Sequence, residues 1–340
     1  MQYRFNDLAY VYGKPEVEGC LKAQNSDFCV DEIMPVVPSG EGEHLWLKIK
    51  KEGSNTDWVA QQLAKYAGIK SSLVSYAGMK DRHAITTQWF SLHLPGLEDP
   101  DFSALDDPEF KILQQSRHNR KLKRGALSGN RFQIRITDLC GDMLLLEENL
   151  KRIQQQGVPN YFGEQRFGRE FGNLYKAEKL FNRELKKVKK LQRGLYISAA
   201  RSWIFNQLVS TRIQQANWLS PIQGEVYMLN GKSACFVDDN KDENFKRLLD
   251  KEINLTACMW GEGESMAVDE VLALERKVAA QFAVFSAGLE NARLNQERRA
   301  MRLLAENMSW EIKDKVLSLN FDLVAGAFAT MVLRECVNLN

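Results

Sequence analysis

From Arg131 to Thr137 the chain alternates without a break: Phe132, Ile134 and Ile136 fall on one side, Arg131, Gln133 and Arg135 on the other. Side chains of a strand point to opposite faces in turn, so this stretch makes a strand with one dry and one wet face. Any fold that contains it needs a sheet. His44 to Lys50 repeats the pattern, with Leu45, Leu47 and Ile49 opposed to Trp46 and Lys48, and reads as a half-buried strand; Trp89 to Leu94 alternates again. Between them a helix is expected. Asn55 or Thr56 can accept a first-turn N–H, Val59, Leu63 and Tyr66 recur every three to four residues, and Gly68 suits a left-handed C-terminal cap. Leu73 to Ala77 reads as a short strand ending at Gly78. The first part of the chain is therefore a sheet with flanking helices.

Leu144 to Gln156 is a helix stopped by Gly157 and Pro159, and beyond it the helical patterns lengthen. Helices are expected over Tyr196 to Gln215, Val268 to Phe285 and Leu289 to Ala305, with a strand-rich stretch between Gly224 and Trp260. Trp310 to Phe321 returns to alternation, and Gly326 to Cys336 is expected as a helix. A length of 340 residues allows about two domains. Because the end of the chain resembles its beginning, one domain is expected to be discontinuous and interrupted by an insertion. No stretch approaches the roughly 20 apolar residues that span a bilayer, and Met1 to Asp7 lacks the apolar core of a signal peptide. The six cysteines form no C-x-x-C pair, which points to a reducing compartment. A cytoplasmic protein without membrane attachment is expected.

The net charge is only +2, but its distribution is uneven. Phe110 to Thr137 holds no Asp or Glu, while Lys111, Arg117, Arg120, Lys121, Lys123, Arg124, Arg131 and Arg135 supply eight positive charges. Such a run is either a solvated face or a phosphate-binding surface, and the lack of balancing acids favours the second. A second basic run, Arg183 to Arg193, leaves the same two readings open, and the two together suit a folded polyanion. Gly163 to Gly168 has the glycine spacing of a phosphate loop but lacks its Lys-Ser/Thr pair, and Gly261-Glu262-Gly263 lacks the third glycine of a dinucleotide fingerprint. Nucleotide hydrolysis and a methyl-donor chemistry are disfavoured. His44, His83, His93 and His118 show no ligand spacing, so no metal is expected, and no G-x-S-x-G elbow suggests a serine hydrolase.

One segment carries chemistry. Tyr76 to Phe90 includes Gly78-Met79-Lys80-Asp81-Arg82-His83, a carboxylate between two cations in a glycine-led loop between strands. Opposite charges nearby keep Asp81 ionised, and an ionised carboxylate is a competent nucleophile or base without any metal. The plainer alternative is an aspartate that caps a turn between salt-bridging neighbours.

The run Gly78-Met79-Lys80-Asp81-Arg82-His83-Ala84-Ile85-Thr86-Thr87-Gln88 closely resembles the signature of the TruD family of pseudouridine synthases. Three further blocks resemble that family in the same order along the chain: His118 to Phe132, Gly157 to Gly168, and Gly326 to Glu335. The resemblance implies an α+β fold, with a mixed, mainly antiparallel sheet and flanking helices. It places a discontinuous catalytic domain at 1–156 and 303–340, and an inserted α/β domain specific to the family at 157–302. It also implies a cofactor-free tRNA pseudouridine synthase acting on uridine at position 13. By motif position Asp81 corresponds to the catalytic aspartate, and Phe28, Asn130 and Phe328 correspond to residues that receive the target nucleotide.

Within that frame Lys80 is expected to act as the ion-pair partner that holds Asp81 charged. Phe132 joins Phe28 as a candidate stacking platform, because a base on an aromatic ring gains about 1–3 kcal/mol. Arg120, Lys121, Lys123 and Arg124 are expected to meet the RNA backbone. The aspartate can attack C1′, take a sugar proton or add to C6, and action at the ribose is favoured. The partner expected is tRNA; no protein partner is implied, and a monomer is expected. The competing reading is a non-catalytic RNA-binding or RNA-folding protein.

Overall fold

A computed structural model describes every residue except Met1, Ser103, Ala104, Asp106, Asn240 and Asn340. Its strands are β1 (Glu18–Leu21), β2 (Phe28–Ile33), β3 (His44–Glu52), β4 (Val74–Tyr76), β5 (Ile85–His93), β6 (Phe110–His118), β7 (Gly129–Cys140), β8 (Val158–Pro159), β9 (Val226–Leu229), β10 (Cys235–Val237), β11 (Ile253–Met259), β12 (Glu297–Ala300), β13 (Arg302–Leu303), β14 (Glu306–Lys313), β15 (Val316–Val324) and β16 (Asn338–Leu339). The helices are α1 (Thr56–Tyr66), α2 (Met143–Gln156), α3 (Gly172–Phe181), α4 (Lys190–Gln214), α5 (Lys241–Leu249), α6 (Asp269–Gln281), α7 (Ala283–Asn291) and α8 (Ala329–Cys336).

The chain divides into two compact units. One comprises Glu16–Glu147, Ala305–Ala329 and Val337–Asn340; the other comprises Met1–Pro15, Glu148–Leu304 and Thr330–Cys336. The changeovers between the units fall at 15/16, 147/148, 304/305, 329/330 and 336/337, so that residues 1–15 and 330–336 lie with the helical unit. The N-terminal segment belongs there because Tyr3, Phe5 and Leu8 are buried, and because its backbone is bonded to the unit's own side chains. Ala9 N–H donates to Ser210 Oγ and Val11 N–H to Glu335 Oε2, both at 2.9 Å.

In the first unit a ten-stranded sheet runs β14-β15-β7-β2-β5-β3-β6, with β1 bonded to β7 and β16, and β4 to β5. Among the described residues, the parallel pairs of this sheet are β2–β5 and β1–β16. The α+β class and the mainly antiparallel sheet are as expected. On β3, Leu45, Leu47 and Ile49 meet Val59 and Leu63 of α1 and Phe90 and Leu92 of β5 in one core. Each such side chain, once buried, contributes about 1.5–3 kcal/mol. The strand is half-buried as expected, with Lys50 and Glu52 exposed on its outer face, except at one position. Trp46 on its other face is 2% exposed, because Leu122 packs over it together with Ala77 and Trp89. Gly68 takes the left-handed conformation expected of it, with φ +66°.

The second unit packs helices against an antiparallel sheet ordered β10-β9-β11-β12, and a separate pair joins β8 to β13. Here the expected helix over Leu289 to Ala305 does not form. The helix ends at Asn291, Arg293 turns to φ +55°, and the chain adds β12 to β11. That register delivers the Arg298 guanidinium to the buried Glu275 carboxylate at 2.8 Å, a long-range gain that outweighs local helical preference. The helix expected from Val268 breaks at Phe282 into α6 and α7.

Candidate active site

The loop between β4 and β5 carries Asp81, and its main chain is held at several points. Thr56 does not cap α1 through its side chain, nor does Asn55. The Thr56 hydroxyl instead accepts the Lys80 N–H at 3.0 Å and donates to Gln88 Oε1 at 2.9 Å. Gln88 in turn donates Nε2–H to the Gly78 carbonyl at 3.2 Å. Lys51, on β3, reaches under the loop and donates to the Asp81 carbonyl at 2.9 Å and the Ser54 carbonyl at 2.8 Å. Arg82 Nε–H donates to the Gly53 carbonyl at 2.8 Å. A side chain held this way is preorganised by its surroundings rather than by its own packing.

The expected pairing of Lys80 with Asp81 is not what the structure shows. Consecutive residues of an extended loop point to opposite sides, and Lys80 turns inward. Its ammonium lies 3.1 Å from Glu32 Oε1 and donates to Asn130 Oδ1 at 2.6 Å. The Glu32 side chain is fully buried, and its other oxygen accepts the Trp89 N–H at 2.8 Å. Burial pushes the Glu32 carboxyl up from its ordinary range, with Lys80 and the Trp89 N–H opposing. Asp81 points outward, half exposed, to Lys22, which forms its ion pair. Burial works to raise its pKa, but Lys22 and the His83 and Arg82 N–H groups outweigh that and hold the carboxyl below its ordinary value. Asp81 is therefore an anion at neutral pH. Lys51 is itself fully buried, and desolvation brings its pKa down from 10.5 to about 8, against the attraction of Asp81.

The Lys22 ammonium also sits 4.3 Å from the centroid of the Phe28 ring, so Phe28 and Asp81 share one cation. Phe132 touches Phe28 edge-on at 6.1 Å between centroids, and stacks on Phe321 at 5.3 Å. Both Phe28 and Phe132 are 7% exposed. Both rings are therefore largely covered in the free protein, each against the other. Asn130 is brought to the same place by β7, opposite Glu32 on β2 and Leu323 on β15. Phe328 was expected inside a helix, but α8 begins one residue later. It follows the turn at Gly326, φ +82°, is partly exposed, and among the described residues stacks on neither Phe28 nor Phe132.

Arg120, Lys121, Lys123 and Arg124 are all exposed, while Leu122 between them is buried. Trp46 Nε1–H donates to the Arg120 carbonyl at 3.0 Å, and Gly125 N–H donates to the Ala77 carbonyl at 2.7 Å. These bonds anchor the basic strip one residue before the Gly78 loop. A cavity of about 640 Å³ lies along it, lined by Met34, Trp46, His118, Arg120, Lys121 and Lys123. The sheet register also aligns His44 with His93 and His118, which the sequence spacing concealed. Among the described residues no His, Cys, Asp and Glu cluster is able to hold a metal ion.

Lys22, Glu32 and Lys51 have no place in the sequence reading, and Thr56 and Gln88 stand there only as a helix cap and a motif residue. Two of them had a visible signal. Extending the inward row Leu45, Leu47, Ile49 by one step reaches Lys51, and the inward row Phe28, Val30 reaches Glu32. A charged residue on a dry row is worth asking about.

Fold and site together define a class: an α+β protein whose sheet presents an ionised aspartate on a tethered interstrand loop. The model of the family described as tRNA pseudouridine synthase D (TruD) matches residues 4–173 and 171–336, and the chain belongs to that family. A relative from Hydrogenovibrio crunogenus named tRNA pseudouridine synthase D is 47% identical over 329 residues, covering 96% of this chain and 95% of the relative. One of the same name from Methylococcus capsulatus is 43% identical over 338 residues, covering 99% and 96%. The crystal structure of a putative TruD from Methanosarcina mazei superposes with a TM-score of 0.77 at 20% identity, covering 98% of this chain and 96% of that one, and shows the same fold.

Proposed function

We propose that this protein is a tRNA pseudouridine synthase that isomerises uridine at position 13 of tRNA, with Asp81 as the catalytic residue. The observation that carries the proposal is the Asp81 carboxylate, ionised by Lys22 and fixed by main-chain bonds at a half-exposed position, in a chain of this family. The reaction breaks C1′–N1, turns the uracil, and forms C1′–C5; C5 gives up its proton and N1 gains one. It is redox-neutral and needs no donor, so the chemistry requires an anion at the sugar or ring and a site that holds the freed base. Asp81 supplies the first, acting at the ribose.

A nucleotide inside a stacked helix cannot reach Asp81, so it must leave the stack at a cost of a few kcal/mol. Phe28 and Phe328 offer faces that offset part of this, and Asn130 offers a donor and an acceptor to the base edge or the sugar. Lys80 serves as a positioning residue, locking Asn130 to Glu32 beside the loop. Arg120, Lys121, Lys123 and Arg124 meet the RNA backbone. The sheet-bearing unit is the catalytic part, and the protein works as a cytoplasmic monomer; no helix is long and apolar enough to cross a membrane among the described residues. Asp81→Asn should abolish pseudouridine in a carbodiimide-mapped tRNA while leaving tRNA binding nearly intact. Full turnover by that variant would overturn the assignment, and product at a uridine other than 13 would overturn the position.

A further inference from the structure

The Gly163–Gly168 segment, with its phosphate-loop spacing and missing lysine, is a single 3₁₀ turn over Glu164–Phe167. What it presents is Arg166. The Arg166 guanidinium lies 5.5 Å from the Phe162 ring centroid, and Arg299 of β12 lies 4.3 Å from the same centroid. Phe162 is fixed, because its N–H donates to Asn206 Oδ1 at 2.8 Å and its carbonyl accepts from Asn206 Nδ2 at 2.9 Å. Among the described residues every side-chain partner of the two guanidiniums is neutral. Arg299 donates to Asn160 Oδ1 at 2.7 Å and Arg166 to Ser198 Oγ at 3.3 Å.

Nearby arginines are treated differently. Arg201 pairs with Glu297 and Arg298 with Glu275, whereas among the described residues neither Arg166 nor Arg299 has a carboxylate partner. Arg299 Nε is also buried without any hydrogen-bond acceptor. Burial pushes both guanidiniums down from their ordinary pKa, Arg299 to about 10, and for Arg299 the charge of Arg166 adds to the effect. Two like charges gathered on one ring, partly out of water, are costly unless an anion completes them. The cation–π contacts offset only part of that cost.

We propose that Arg166 and Arg299 form a subsite for one phosphodiester of the RNA backbone, with Phe162 as the plate that aligns the two planar donors. A guanidinium with a free Nε–H matches the paired oxygens of a phosphate, which a lysine does not. This subsite rests on the reading that the substrate is tRNA.

The test is tRNA binding across a salt series for the full-length wild type, Arg166→Gln, Arg299→Gln and Arg166→Lys. Each lost phosphate contact should flatten the log–log salt slope by about 0.7–0.9 and weaken binding roughly five- to eightfold at 0.1 M salt, the effect of one counterion. Arg166→Lys should keep the slope. An unchanged slope in Arg166→Gln, with wild-type thermal unfolding, overturns the subsite. Should Arg299→Gln fail to fold, the partly buried Arg166 decides the matter alone. Modification of the wild type by phenylglyoxal, read by mass spectrometry, needs no substitution: tRNA should protect Arg166, and lack of protection while bound overturns the proposal. A wild type that converts uridine, beside an Arg166→Gln of normal slope, refutes only this subsite; a wild type that binds no tRNA refutes the functional reading beneath it.

Discussion

Glu32→Gln removes one charge of a pair that water scarcely reaches, since the Lys80 side chain is 9% exposed and that of Glu32 not at all. Lys80 would keep only neutral acceptors, Asn130 Oδ1 at 2.6 Å among them. Breaking a buried pair from one side costs about 3–5 kcal/mol, because the remaining charge stays desolvated. Against a total stability of roughly 5–15 kcal/mol, that is a large fraction. Lys80→Met should cost less. Burial already pushes the Glu32 carboxyl upward and Lys80 is the main group opposing it, so without Lys80 the acid can take up a proton and shed its charge. The double variant Glu32→Gln/Lys80→Met leaves no stranded charge and should be more stable than the sum of the single losses predicts, by about 2 kcal/mol. Equilibrium urea unfolding at neutral pH measures all four corners of the cycle, with equal m-values as the condition for comparing them. A coupling under about 0.5 kcal/mol would refute the reasoning, because it would mean that Lys80 is not committed to Glu32.

Lys51 makes a prediction about pH. Its folded pKa of about 8 lies below the ordinary 10.5, so between those values the unfolded chain binds more protons than the folded one. The charged form costs roughly 3 kcal/mol below that window, and the cost is relieved as pH rises through it. The stability of wild type relative to Lys51→Met should therefore rise from pH 7.5 to 10; a flat difference would count against a desolvated Lys51. Lys22→Met removes the chief group holding the Asp81 pKa down, so the acid limb of kcat/KM should move to higher pH, and an unmoved limb would show that Lys22 does not set the charge. Reversing Lys121, Lys123 and Arg124 to Glu should weaken tRNA binding and flatten its salt slope by about 0.7–0.9 for each lost contact, whereas an unchanged slope would place the RNA elsewhere.

The sheet was legible because its strands alternate. Phe132, Ile134 and Ile136 are inward as the period requires, and β14 and β15 occupy the alternating stretch near the C-terminus. Asp81 and Asn130 were legible because they lie in long motif blocks. The partner of Asp81 was not, since Lys22 is distant in sequence and only the fold of β1 and β2 brings it near. Nearest neighbours suggested Lys80, and loop geometry overruled them. The strand β12 was hidden for a related reason: its pairing gain comes from β11 and Glu275, far along the chain. Phe328 was misplaced by three residues of helix that give way to a turn at Gly326.

The bonds that hold the Asp81 loop end on the Gly78 and Asp81 carbonyls, the Lys80 N–H and the Arg82 guanidinium, not on the side chains of Met79 or His83. Met79 projects into solvent, 67% exposed. Position 79 is therefore a natural attachment point for a fluorophore or spin label beside the reacting carboxylate, one that reports the arrival of a macromolecular guest while leaving the loop's own scaffolding in place.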